Sequence, residues 1–159
     1  MGSIKVRILM LQLKRTTSSN QDFINLVKEL DAYLKVTDGD EHDFYNQFNG
    51  IENLNHCIVA YKDEQPVGCG AFKQYDDESV EIKRMYLAPD HRGSGIAGEI
   101  LNGLEVWAKE IGNTRTVLET GKRQVEAVKF YHKSGYQRIP NYGQYIGMEN
   151  SNCFEKKLH

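Results

Sequence analysis

From Ile4 onward apolar positions alternate with charged ones: Ile4, Val6 and Ile8 face one way, Lys5 and Arg7 the other. A period of two predicts a half-buried strand over residues 4–13. Further on the period becomes helical. Phe23, Leu26, Val27, Leu30 and Leu34 share one face to about residue 36, behind Ser19 and Asp22 in capping-box spacing. Asp38-Gly39-Asp40 breaks that helix, and residues 41–48 predict a second, shorter one. Short apolar runs at 57–61 and 67–72 flank the turn Asp63-Glu64-Gln65-Pro66, which predicts an antiparallel hairpin. A third strand, 79–87, follows Asp76-Asp77-Glu78 and ends before Pro89, a residue that cannot donate to a ladder.

The longest periodic segment comes next. Ile96, Ile100, Leu101, Leu104, Trp107, Ala108 and Ile111 mark one face of a helix stopped by Gly112-Asn113. Residues 116–119 read as a strand, 124–133 as a helix ended by Ser134-Gly135, and 136–139 and 152–156 as the last two strands. The order β-α-α-β-β-β-α-β-α-β-β predicts a mixed α/β fold. Its sheet is antiparallel early and crosses over through helices late.

Composition narrows the class. The chain has 159 residues, 40% hydrophobic and 26% charged, enough for one domain, 1–159, with a sizeable core. A net charge of -2 gives no bulk attraction to nucleic acid or an anionic membrane, and the basic residues fall in scattered pairs. Cys57, Cys69 and Cys153 are odd in number and lack a C-x-x-C, which predicts core thiols in a reducing compartment. The histidines show no zinc-ligand spacing, so no metal is expected. The N-terminus lacks the layout of a signal peptide and has Val6 where a myristoylation signal wants Ser or Thr. No apolar run approaches the span of about 18 residues that a membrane helix needs. A soluble cytoplasmic protein is the expectation.

The candidate chemistry lies where the third of these strands meets the long helix, at Arg92-Gly93-Ser94-Gly95-Ile96-Ala97. A helix N-terminus leaves backbone N–H groups unpaired at the positive end of the peptide dipoles. Gly93 and Gly95 remove the Cβ atoms that would keep a ligand from those donors, and Arg92 adds formal charge. That combination predicts a phosphate or pyrophosphate cradle. A Walker A loop is excluded because no Lys-Ser or Lys-Thr follows the glycines. Gly93-Ser94-Gly95-Ile96-Ala97-Gly98 matches the dinucleotide pattern G-x-G-x-x-G, but it lies past mid-chain behind strands read as antiparallel. Glycines serving strand–helix packing alone are the plain alternative.

The same stretch resembles the central motif of the GNAT superfamily of N-acetyltransferases, R/Q-x-x-G-x-G/A, with Arg92, Gly95 and Ala97 in the defining places. Ahead of it, Glu81-Ile82-Lys83-Arg84-Met85-Tyr86-Leu87-Ala88-Pro89 resembles the family's fourth strand. Behind it, Ala127-Val128-Lys129-Phe130-Tyr131-His132-Lys133-Ser134-Gly135-Tyr136 is similar to its A-x-x-F/L-Y-x-x-x-G-F/Y element. The resemblance covers about residues 58–138. It implies a mostly antiparallel, splayed sheet flanked by helices, with acetyl-CoA in the cleft as co-substrate.

Residue by residue, the resemblance implies that Met85, Tyr86 and Leu87 lie along the pantetheine arm and acetyl group, mainly through their backbones. Arg92, Gly93, Ser94, Gly95, Ile96 and Ala97 would hold the pyrophosphate. Glu81 would take the acceptor's proton, because an alkylamine with a pKa of about 10.4 must lose one to attack. Tyr131 would hydrogen-bond or protonate the departing thiolate. The asparagine that relatives often carry after the fifth strand is missing from Leu118-Glu119-Thr120-Gly121-Lys122-Arg123-Gln124. Thr120 or Gln124 could stand in, and Glu119 could be a second cleft carboxylate. Tyr45, Tyr142, Tyr145 and the acidic cluster Asp38, Asp40, Glu41 and Asp43 are candidates for an acceptor site. The reading is an acetyl-CoA-dependent N-acetyltransferase acting on a small-molecule or amino-acid-like primary amine. A non-catalytic acyl-CoA-binding module, a protein-lysine acetyltransferase and a homodimer all stay open.

Overall fold

A computed structural model describes residues 11–39 and 53–159. Within them seven strands form one sheet in the order β1-β2-β3-β4-β5-β7-β6. The elements are β1 (Leu11–Thr16), α1 (Gln21–Asp38), β2 (His56–Lys62), β3 (Gln65–Gln74), β4 (Ser79–Leu87), α2 (Ile96–Glu110), β5 (Arg115–Gly121), α3 (Val125–Lys133), β6 (Gln137–Ile139) and β7 (Ser151–Lys157). Every neighbouring pair is antiparallel except β4 and β5, which are parallel. The mixed α/β class is as read from the periodicities, and the mostly antiparallel sheet is as the resemblance implies.

Two boundaries differ from the reading. The first strand runs Leu11–Thr16, so only the end of the expected 4–13 segment lies among the described residues. The expected helix at 41–48 lies outside them. Helix α1 is capped by Asn20, not Ser19: the Asn20 carboxamide accepts from the Phe23 N–H at 3.0 Å, while the Ser19 hydroxyl pairs with Thr17. Asparagine has the longer reach to the third helical N–H and is as strong a cap as serine.

The hairpin turn tightens to Asp63 and Glu64, both at positive φ (52° and 67°), the conformation of a two-residue turn matched to strand twist. Pro66 enters β3 opposite Tyr61, where a register shift admits a residue without an N–H.

Packing sorts the sheet into two faces. Helices α2 and α3 cover Ile58, Phe72, Val80, Ile82, Leu118 and Phe154 on one. On the other, α1 covers Cys57, Val59, Cys69, Ala71 and Tyr86. Farther along that second face, the turn Gly143–Tyr145 seats Tyr145 over Cys153. All three cysteines are buried and unbridged. Among the described residues, no helix is long and apolar enough to cross a membrane.

Candidate active site

The site begins with a failure of pairing. β4 and β5 are in register only at Ser79–Arg115, Val80–Thr116 and Glu81–Val117. Beyond Glu81 the two strands run on to Leu87 and Gly121 without each other. β5 stays bonded to β7 along its whole length and β4 stays bonded to β3, so the sheet divides between them and β4 bends within its own half. A bulge turns it: Arg84 has φ +60°, and the register with β3 shifts between Cys69 and Ala71. Arg84 holds this rare backbone with its guanidinium on Asp31 of α1, at 2.9 Å. Packing favours glycine at the opposite position, Gly70. A Cβ on Gly70 would stand 2.6 Å from the Met85 sulfur and 2.8 Å from Leu104 Cδ1.

A cleft of about 110 Å³ opens in the wedge, lined by Glu81, Met85, Glu119, Thr120, Gln124, Tyr131 and Tyr145, with Leu30 and Leu34 of α1. It passes through the sheet. Val80, Ile82 and Leu118 face α2 and α3, so by alternation Glu81 and Glu119 point to the opposite face. Tyr131 enters from α3 and is 7% exposed; Glu81 is 4% exposed. Burial, then the charge of Glu119, pushes the Tyr131 phenol above its ordinary range, so it stays protonated. Tyr145 is shifted the same way by burial, then by Glu119 and Glu81. Both carboxylates therefore act on one patch. A carboxylate and a neutral phenol reach one gap from opposite sides of the sheet.

Below the wedge lies the glycine turn. Gly95 caps α2 with φ +85°, and Gly93 has φ +81°, conformations that L side chains rarely adopt. A Cβ on either would meet nothing within 4 Å. Packing therefore does not explain these glycines; they keep a backbone path and an open surface. From Gly93 to Gly98 the N–H groups enter no backbone hydrogen bond among the described residues. Arg92 folds beside them, its Nε donating to the Leu87 carbonyl at 3.2 Å and its guanidinium over the Tyr33 ring at 5.4 Å. The Ser94 hydroxyl is turned back onto the His91 carbonyl.

The remaining sequence candidates divide. Met85 lines the cleft, whereas the Tyr86 and Leu87 side chains enter the cores on opposite faces. Thr120 and Gln124 both line the cleft. Tyr142 does more than cover an edge: its hydroxyl donates to Glu81 Oε2 at 2.5 Å. Tyr45, Asp40, Glu41 and Asp43 lie outside the described residues. Sequence reading missed Leu30, Leu34 and the Arg84 bulge; two glycines inside one strand, Gly68 and Gly70, were the available signal for a close approach.

The fold thus combines a parallel pair that splits, a glycine turn at a helix start, and a carboxylate and a phenol that line one cleft. The profile of the acetyltransferase (GNAT) family matches residues 23–136, and the chain belongs to that family as an acetyltransferase. A protein of Azospirillum brasilense named IAA acetyltransferase is 30% identical over 138 residues, covering 85% of this chain and 90% of that one. A Klebsiella pneumoniae protein assigned as an acyl-CoA N-acyltransferase superposes with a TM-score of 0.79 at 26% identity, over 94% of this chain and 99% of that one. A GNAT acetyltransferase from Elizabethkingia anophelis, solved with acetyl-CoA bound, shares the fold at TM-score 0.67 and 17% identity, over 94% and 99%.

Proposed function

We propose that the protein transfers an acetyl group from acetyl-CoA to the primary amine of a small-molecule or amino-acid-like acceptor by direct attack. The observation that carries this reading is the wedge itself, with Glu81 and Tyr131 lining one cleft. The residues present fit the donor. Open glycines at 93 and 95, and N–H groups from Gly93 to Gly98 that enter no backbone hydrogen bond among the described residues, suit a pyrophosphate, with Arg92 adding charge. Structural relatives from Elizabethkingia anophelis and Thermoplasma acidophilum hold acetyl-CoA and coenzyme A respectively, which supports the same donor here. The edge of β4 that faces β5 has no strand partner beyond Glu81, and its backbone at Met85 offers hydrogen bonds to an amide-bearing arm.

Acetyl-CoA supplies a thioester, whose carbonyl carbon accepts the amine and whose sulfur leaves. Glu81 takes the proton that the amine must shed. Tyr131, in this reading, donates a hydrogen bond toward the sulfur. Its phenol lies above 10 and a thiol titrates near about 8.5, so full proton transfer to the thiolate is uphill. Stabilising charge by hydrogen bonding is the role that this ordering favours.

A thiol-release assay of acetyl-CoA against amines, amino acids, polyamines and aminoglycosides tests the reading. Glu81→Gln should lower kcat by about 10²-fold or more. Tyr131→Phe should lower it about tenfold, with the thermal shift given by acetyl-CoA retained in both variants. Cofactor binding with no thiol release from any amine would leave a non-catalytic acyl-CoA module instead. Wild-type rates in both variants would remove these residues from the chemistry.

A further inference from the structure

Tyr142 opens the turn Gly143–Tyr145 and meets Glu81 from 61 residues away in sequence. The segment presenting it is built. Asn141 Nδ2 donates to the Tyr145 carbonyl at 3.1 Å and the Met148 carbonyl at 2.9 Å, and the Tyr145 N–H donates to the Tyr142 carbonyl at 2.9 Å. The Tyr142 ring stands edge-on to Tyr75 at 5.0 Å and to Tyr145 at 5.8 Å. The hydroxyl is thus aimed at Glu81 Oε2 by contacts on both sides. Other charged or titratable groups surround this carboxylate: Lys73 opposite it on β3, Lys83 two residues on, Glu119 on β5, and Tyr145 and Cys153 beyond. Among the described residues, Tyr142 is the group that donates to it.

We propose that Tyr142 is the positioning residue for Glu81, its hydroxyl anchoring Oε2 so that Oε1 is the oxygen that receives the acceptor's proton. This rests on the reading of Glu81 as the base. Burial, then the Glu81 charge, holds the Tyr142 phenol far above its ordinary range, so it remains a donor while a carboxylate titrates. A base with two equivalent oxygens on a rotating carboxylate loses orientation. Fixing one oxygen restores it.

Tyr142→Phe removes the hydroxyl and keeps both ring contacts, and its melting temperature reports folding. The first readout needs no acceptor. In protein labelled with carboxyl-¹³C glutamate, with the Glu81 resonance assigned by its loss in Glu81→Gln, the Glu81 carboxyl resonance should move in Tyr142→Phe at fixed pH. An unmoved resonance overturns the inference. The second readout is a double-mutant cycle on acetyl transfer to n-butylamine, spermidine and lysine. Tyr142→Phe should lower kcat about tenfold, the scale of one hydrogen bond to a charged group, with the KM for acetyl-CoA held within about twofold. In the Glu81→Gln background it should lower kcat no further. An equal fall in both backgrounds means that Tyr142 acts elsewhere, and overturns the inference. A slow Glu81→Gln beside a normal Tyr142→Phe also overturns it while the base reading stands. Wild-type turnover in Glu81→Gln overturns both.

Discussion

Replacing Gly95 by alanine separates the stability of the turn from its use. Gly95 sits at φ +85°, and an L residue there costs about 1–2 kcal/mol. No clash adds to this, since a Cβ would meet nothing within 4 Å. At about 2–4 °C per kcal/mol for a chain of this size, the melting temperature should fall by about 2–8 °C. In the wild-type protein, acetyl-CoA at about 100 times its Kd should add about 2.7 kcal/mol, a rise of about 5–11 °C. The alanine methyl would stand among the N–H groups that the proposed function assigns to the pyrophosphate. A hundredfold loss of affinity brings the same ligand concentration to the variant's Kd, where stabilisation is about 0.4 kcal/mol and the rise about 1 °C. Gly112→Ala is the control. That residue lies past the other end of α2 with φ +102° and equally open space, so it carries the strain without touching the cradle. Differential scanning fluorimetry of the three proteins, with and without acetyl-CoA, reads every term. A full ligand shift in Gly95→Ala, or its equal loss in Gly112→Ala, would refute the cradle.

Other outcomes follow from the packing. The Tyr136 hydroxyl donates to Glu105 Oε2 at 2.8 Å and lies 2.8 Å from Thr116 Oγ1, with all three residues buried. Tyr136→Phe should therefore cost about 1.5–3 kcal/mol in urea unfolding, the value of a hydrogen bond to a charged group; a loss under about 0.5 kcal/mol would deny that network a structural role. Burial holds the His56 imidazole below its ordinary value of 6.5, where it stacks on Phe72 at 4.7 Å. Between that lowered value and 6.5 the unfolded chain binds more protons, so this contribution is whole above 6.5 and declines as pH falls through the window. His56→Phe keeps a ring in the stack and should lose less stability than wild type between about pH 7.5 and pH 5; equal losses would refute the assignment.

Much of the fold was legible because its elements are locally consistent. The apolar stripe from Ile96 to Ile111 predicts α2 almost to the residue, and Ser79–Leu87 emerges as expected. The glycine turn at the start of α2 was legible too, because glycine spacing and a helix start are properties of adjacent residues. The wedge was not legible from periodicity: strands that part after three residue pairs carry the same apolar pattern as strands that stay together. Nor was the Arg84 bulge, since its positive φ is imposed by β3 and by Asp31 on a distant helix. The contact between Tyr142 and Glu81 joins two segments whose nearness depends on the crossover of β7 between β5 and β6. Such long-range pairings leave no mark on local sequence.

Where β4 leaves β5, the molecule acquires two strand edges in the middle of its own sheet. An exposed edge is ordinarily an invitation to another strand, the route by which sheets join and aggregate. Here the edges lie inside the fold: Leu30 and Leu34 line one side of the gap, Ala127 and Tyr131 the other. Under the proposed function, the amide-bearing arm of the donor would take the place of that missing strand, so the split in the sheet would itself serve as the binding edge.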